Sequence, residues 1–190
     1  MTYKEWKEKQ EDLKNEKEEK KEPNVIRFND ITNKWTEKTK EGSYTECDSI
    51  TVNGKTYKVG DNGVVLDLNN RTSEIEIAKV LAEKYGKEVV ILPEISGKNA
   101  NIKTADLMVN GKLVEIKTIN ASGPNTIKNA IKHAKGQAND IIINIGDTKL
   151  TTDEIIGTIQ RQFNNIQCQH MESCVVIKNG EVLKVFEQKN

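Results

Sequence analysis

At 190 residues, 35% hydrophobic and 31% charged, with mean hydropathy −0.66, the chain is long enough to bury a core. No run approaches the roughly 18 apolar residues of a membrane span, and the opening MTYKEWKEKQ lacks the apolar stretch of a secretory signal peptide. Formal net charge is zero, so nucleic-acid contact must come from a local patch; Cys47, Cys168 and Cys174, with no C-x-x-C pair, fit a reducing cytosol better than a disulfide framework.

Residues 1–22 are nearly all Lys and Glu after Tyr3 and Trp6. Opposite charges at i, i+4, such as Glu5–Lys9 and Glu16–Lys20, predict a solvated charged helix or a linker with too little apolar surface to pack as core. Pro23 ends it, and residues 23–69 read as a small β-rich region. Its clearest signal is Ile50–Val59, a hairpin turning at Asn53-Gly54, followed by the apolar run Val64–Leu68.

The pattern then changes, and 70–190 reads as the main domain. Ser73 as N-cap with Glu76 three residues on has capping-box spacing; Ile75, Ala78, Val80, Leu81 and Ala82 supply an apolar face, and Gly86 closes the helix. Val89–Leu92 is a buried strand stopped by Pro93, and 94–104 is a polar loop. Asn110-Gly111 then makes a two-residue turn that sets Val109 opposite Lys112, Met108 opposite Leu113, Leu107 opposite Val114 and Asp106 opposite Glu115. A helix over 125–138 carries the stripe Ile127, Ala130, Ile131, Ala134 and Ala138. The β-branched strand Asp140–Ile145 follows, then a helix over about 151–164 and a last hairpin, Cys174–Ile177 and Val182–Phe186, turning at Asn179-Gly180. The order predicts an α/β (α+β) fold: a central mixed β-sheet with helices packed on it.

The hairpin at 106–117 carries the chemistry. Opposed residues share a face, and side chains alternate with period two, so Asp106, Glu115 and Lys117 project together. Two facing carboxylates repel unless a cation lies between them, and oxygen ligands suit Mg²⁺ or Mn²⁺. Water activated by such a cation attacks a phosphodiester, and a nearby Lys stabilises the developing charge. Glu76, on the preceding helix, is a candidate third carboxylate, with its capping role or plain exposure as the other readings and Glu74 as a competitor. Between Ser96 and Lys135 the lysines Lys98, Lys103, Lys112, Lys117, Lys128, Lys132 and Lys135 are opposed only by Asp106 and Glu115, a local field that suits phosphate contacts or, on the helix, a solvated face. Ser122 and Thr126, where the loop 120–126 enters a helix, can hold a phosphate or simply cap the helix. Gln137, late in that helix, can reach a ligand or cap the following loop.

Glu76-Ile-Ala, Lys103-Thr-Ala-Asp106 and Glu115-Ile-Lys117 together resemble the PD-(D/E)xK nuclease superfamily. The strings DLMVNGKLVEIKT, NTIKNAIKHAKGQA and DIIINI are similar to the tRNase toxin domains at the C-termini of contact-dependent growth inhibition (CdiA-type) proteins, and to related domains that end phage minor capsid proteins. The resemblance covers about residues 70–186. It implies a restriction-endonuclease-like fold, with Glu76, Asp106 and Glu115 as ligands of Mg²⁺ (or Mn²⁺ or Zn²⁺) and Lys117 as the catalytic cation. It also implies Gln137 at a helix position often held by Gln, a tRNA substrate, and an immunity protein that neutralises a toxin. Such a toxin acts in the cytoplasm after delivery on a larger secreted or phage-borne protein. Ala105 stands where the motif often has Pro. Three other readings compete: a metal-independent RNase of the barnase, EndoU, colicin or RelE type built on His133 or His170, a DNA nuclease, and a non-catalytic phage module.

Overall fold

A computed structural model describes residues 25–65, 71–96 and 101–190; the expected charged helix or linker at 1–22 lies outside the described residues. In chain order the first elements are strand β1 (Phe28–Asp30), the short helix α1 (Thr32–Thr36), β2 (Ser43–Glu46), the hairpin β3 (Ser49–Val52) and β4 (Lys55–Lys58), and β5 (Val64–Val65). Then come α2 (Thr72–Tyr85), β6 (Glu88–Ile91), β7 (Glu94–Ile95), β8 (Leu107–Val109) and β9 (Lys112–Ile119). The remainder is α3 (Thr126–Ala134), β10 (Asp140–Ile145), α4 (Thr152–Phe163), a 3-10 turn (Ile166–Cys168), β11 (Ser173–Lys178) and β12 (Glu181–Gln188).

One eight-stranded mixed sheet runs in the order β1-β12-β11-β10-β9-β8-β6-β2. β10 is parallel to both β9 and β11, and β2 is parallel to β6; the other pairs are antiparallel. A parallel neighbour requires a crossover, which α3 supplies between β9 and β10. Helices cover both faces. Ile141, Ile143 and Ile145 pack with Ile127 and Ile131 of α3 and Ile155 and Ile159 of α4, whereas Ile142 packs with Ile77 and Leu81 of α2. This is why β10 reads as an unbroken apolar run: both of its faces are buried. Both edge strands, β1 and β2, come from the segment before residue 70, so that segment builds the same sheet as the rest. Phe28 of β1 is held there by ring contacts with Phe163 at 5.8 Å and Phe186 at 5.3 Å.

The three Asn-Gly pairs that turn hairpins adopt positive φ at both residues: 50° and 77° at 53–54, 49° and 81° at 110–111, 51° and 72° at 179–180; at Asn62-Gly63 only the Gly does, with φ 79°. Asn tolerates this region and Gly has no Cβ to oppose it. The turn at 110–111 sets the expected register, Val109 with Lys112, Met108 with Leu113 and Leu107 with Val114.

Two helix limits differ from expectation. Helix α2 has Arg71 as its N-cap, with no side-chain cap, so Ser73 and Glu76 form no capping box and both are exposed. Its C-terminus is as expected: Gly86 has φ 63°, and the Gly86 and Lys87 N–H groups donate to the Ala82 and Leu81 carbonyls at 3.1 Å. Helix α3 stops at Ala134, because Gly136 turns the chain with φ 86°, and Ala138 leaves the stripe to pack with Leu92 and Ala105. A full capping box forms instead at Thr151 and Glu154. Thr151→Ala is therefore expected to cost about 1 kcal/mol in urea unfolding, with Thr151→Ser close to the parent.

Candidate active site

Asp106 stands one residue before β8, where its N–H donates to the Val114 carbonyl at 3.2 Å. Its carboxylate then takes over the ladder, Oδ2 accepting from the Ile116 N–H at 2.9 Å. This draws the Asp106 side chain across the hairpin toward Glu115. On β9, Val114 and Ile116 face α2, so Glu115, Lys117 and Ile119 face the α3 side. Lys117 Nζ donates to Glu115 Oε1 at 2.5 Å and to Gln137 Oε1 at 3.4 Å, and Gln137 Nε2 donates to the Thr104 carbonyl at 3.3 Å. The structure thus gathers Asp106, Glu115, Lys117 and Gln137 from three separate segments.

From the other side the start of α2 closes in. The Arg71 guanidinium, 4% exposed, donates to the carbonyls of Leu92 and Asp106 and to Glu74, and lies 3.9 Å from Asp106 Oδ1. Burial, and next the Asp106 carboxylate, push the Glu74 carboxyl up to about 7. The same two causes, in the same order, push Glu115 up to about 7 against the pull of Lys117. Three carboxyl groups therefore crowd one end of the sheet, and two of them, Glu74 and Asp106, open onto a cleft of about 330 Å³ lined also by Arg71, Glu94, Lys103 and Gln137, among others.

Glu76 is not part of this cluster. It lines a separate groove with Lys79, Asn144 and Asn179. Residues two apart on a helix point about 200° apart, so Glu74 and Glu76 cannot serve the same site. The signal that separates them was present: Glu74 continues the buried stripe Ala78, Leu81 and Tyr85 backward by one turn, and Glu76 lies off it. Arg71, preceding the helix, had no such signal.

The other expected contacts divide. Lys103 lines the cleft, and its Nζ donates to the Lys135 carbonyl at 3.2 Å. Lys128, Lys132 and Lys135 have exposed side chains along and just beyond α3. Ser122 is used in the fold: its Oγ accepts from the Lys149 N–H at 2.7 Å and pairs with Thr148 Oγ1 at 3.2 Å, tying down the loop after β10. Thr126 opens α3 at the end away from Gln137, about 13 Å along the axis, so the helix N-terminus does not face the carboxylates. His133 is exposed and both ring nitrogens of His170 are buried without a partner. Among the described residues, neither histidine hydrogen-bonds to the cluster.

Among the described residues, no set of three or more His, Cys, Asp or Glu stands at metal-ligand spacing, Glu74 being held by Arg71. Asp106 and Glu115 remain. Glu115 Oε2 is buried with no hydrogen-bond partner, an acceptor whose desolvation is uncompensated. A Mg²⁺ site needs only one or two carboxylates completed by water, so the pair fits a hard divalent cation.

With no cation bound, raised carboxyl pKa values have a consequence for folding. Glu74 and Glu115 hold their protons up to about 7 in the folded protein, above their ordinary value of 4.5. The folded state then binds more protons than the unfolded one in that window, so stability falls as pH rises from about 4.5 to about 7. Melting in EDTA at pH 5 and pH 8 is expected to show this fall, and Glu115→Gln to flatten it.

The model of the contact-dependent growth inhibition CdiA C-terminal domain matches residues 103–182. No curated protein matches the chain. Among solved structures, a chain of the CdiA-CT/CdiI toxin and immunity complex from Burkholderia pseudomallei is similar, with 20% identity and TM-score 0.47 over 74% of this chain and 96% of that one. The segment that carries Asp106, Glu115, Lys117 and Gln137 is thus the one similar to the contact-dependent growth inhibition CdiA C-terminal domain.

Proposed function

We propose that this protein is a metal-dependent nuclease that hydrolyses phosphodiester bonds in RNA, most simply tRNA, and acts as a toxin. The observation that carries the reading is the convergence of Asp106, Glu115 and Lys117 on one hairpin face, with Glu115 Oε2 buried and unpartnered. A divalent cation held by Asp106 and Glu115 supplies Lewis-acid activation of water and of the phosphoryl oxygen. Lys117 stands beside Glu115 to stabilise charge that develops on the phosphate. Gln137 fixes the Lys117 ammonium from the opposite side, and Arg71 holds Asp106 through both its carbonyl and its carboxylate. Lys103, Lys132 and Lys135 offer cations for the flanking phosphates.

The match of 103–182 to the CdiA C-terminal domain supports the toxin role. Delivery into a target cell on a larger protein, and neutralisation by a cognate immunity protein, belong to the same proposal. Among the described residues no helix is long and apolar enough to cross a membrane.

The test is incubation of the purified protein with total tRNA and with plasmid DNA, in Mg²⁺, Mn²⁺, Zn²⁺ or EDTA. Cleavage of tRNA that stops in EDTA and returns with Mg²⁺ or Mn²⁺ is expected. Undiminished cleavage in EDTA, lost in His133→Ala, would establish the metal-independent chemistry instead.

A further inference from the structure

The reacting groups are recessed. The Glu115 side chain is 3% exposed, Lys117 24% and Asp106 23%. Of the three, Asp106 opens onto the 330 Å³ cleft, which Pro93–Ile95, Ile102–Ala105 and Gln137 also line, and Glu115 and Lys117 lie behind it, joined to that lining through Gln137. The segments around the cleft are tied together by hydrogen bonds. Gln137 bridges the Thr104 carbonyl and Lys117, and Lys103 Nζ reaches the Lys135 carbonyl.

The cleft carries charge of both signs. Glu74, Glu94 and Lys103 all line it, and Lys103 Nζ reaches out to the carbonyl of the exposed Lys135. A polyanion is therefore drawn to the Lys103–Lys135 pair at the rim. Apolar Ile95 and Ile102 also line the cleft, a surface that suits a base and not a phosphate.

A duplex is stiff over far more than the length of this protein, and its phosphates lie on a convex surface. Such a rod can rest on the rim but cannot lower a phosphate to a carboxylate that is almost wholly buried. A single strand can bend, and an unstacked nucleotide can enter a small pocket while its neighbours stay outside.

We infer, resting on the nuclease reading above, that the substrate is an unpaired strand, with the scissile phosphate reached only when the adjoining nucleotide leaves the stack and enters the cleft. In a folded RNA, cleavage then falls in loops, bulges and single-stranded ends.

The experiment uses the full 190-residue protein with Mg²⁺ and Mn²⁺. Fragment ends from total tRNA and from plasmid DNA are mapped, and the sequence around the strongest cut is made as an end-labelled oligonucleotide, free, annealed to its complement, or annealed with a central bulge at the cut. Annealing is expected to slow cleavage about 100-fold through the cost of opening the stack, and the bulge to restore most of the rate. Equal rates on the free strand and the perfect duplex, or strongest cuts within paired stems, overturn the inference and leave the nuclease reading in place. No cleavage of either polymer with any metal overturns the nuclease reading, and the inference falls with it.

Discussion

Glu115→Gln is expected to leave the protein folded and lower nucleic-acid cleavage by about 10²-fold or more. The amide matches the carboxyl in shape and removes a charge that burial and Asp106 already oppose, as the carboxyl held up to about 7 shows. Folding therefore loses little. Activity loses the oxygen that has no protein partner and is best placed to hold a cation. Lys117→Ala is expected to lose a comparable factor, because no other ammonium stands within hydrogen-bond reach of Glu115 among the described residues. Asp106→Asn is a better test of the second carboxylate than Asp106→Ala, since it keeps an oxygen for the Ile116 N–H. Initial rates on tRNA, at matched folded fraction by circular dichroism, measure all three. Full activity in these variants would end the nuclease reading.

Arg71→Ala is expected to be the most destabilising single change at the site, costing about 3–5 kcal/mol. One buried guanidinium joins the end of β6 at Leu92, the start of β8 at Asp106 and the first turn of α2 at Glu74. Removing it leaves the Leu92 carbonyl and a carboxyl with 23% exposure short of a donor, while the Asp106 carbonyl keeps the Leu92 N–H at 3.0 Å. Arg71→Lys should recover only part of the loss, because an ammonium cannot reproduce the planar fork. Urea unfolding measures the difference. A cost below about 1 kcal/mol would mean that Arg71 behaves as an exposed ion pair. A folded variant that retains its activity would show that the clamp serves the fold alone.

The elements legible in the sequence are those whose cause is local. Three Asn-Gly pairs named three hairpins, because Asn and Gly between alternating strand residues accept the positive φ that both turn positions demand. The register of β8 against β9, and with it the shared face of Glu115 and Lys117, follows from counting outward from Asn110-Gly111. Strand β10 was equally plain, since a parallel strand buried on both faces has no polar alternation to obscure it. The Gly86 terminus of α2 was local in the same way.

Other features depended on contacts that no local pattern encodes. The Ser73–Glu76 spacing met the capping rule, but Arg71 drew the helix start toward the ends of β6 and β8. Asp106, which lies outside β8, is aimed by a bond to Ile116 ten residues away. Gln137 was expected on a helix and acts from the turn after it, because Gly136 breaks α3 and brings the amide back over Lys117. Ser122 and Thr126 lie where a phosphate cradle is plausible by sequence, but the crossover from β9 to β10 carries that end of α3 away from the carboxylates. The sequence by itself determined the hairpin at Asn110-Gly111 and the residues that share its face, since turn geometry and strand alternation act over a few residues. Helical periodicity separated Glu74 from Glu76, but only the tertiary structure brought a helix carboxylate up to Asp106. Glu74 is held there by a buried arginine satisfying three partners at once, and such a condition exists only after the sheet and α2 have packed.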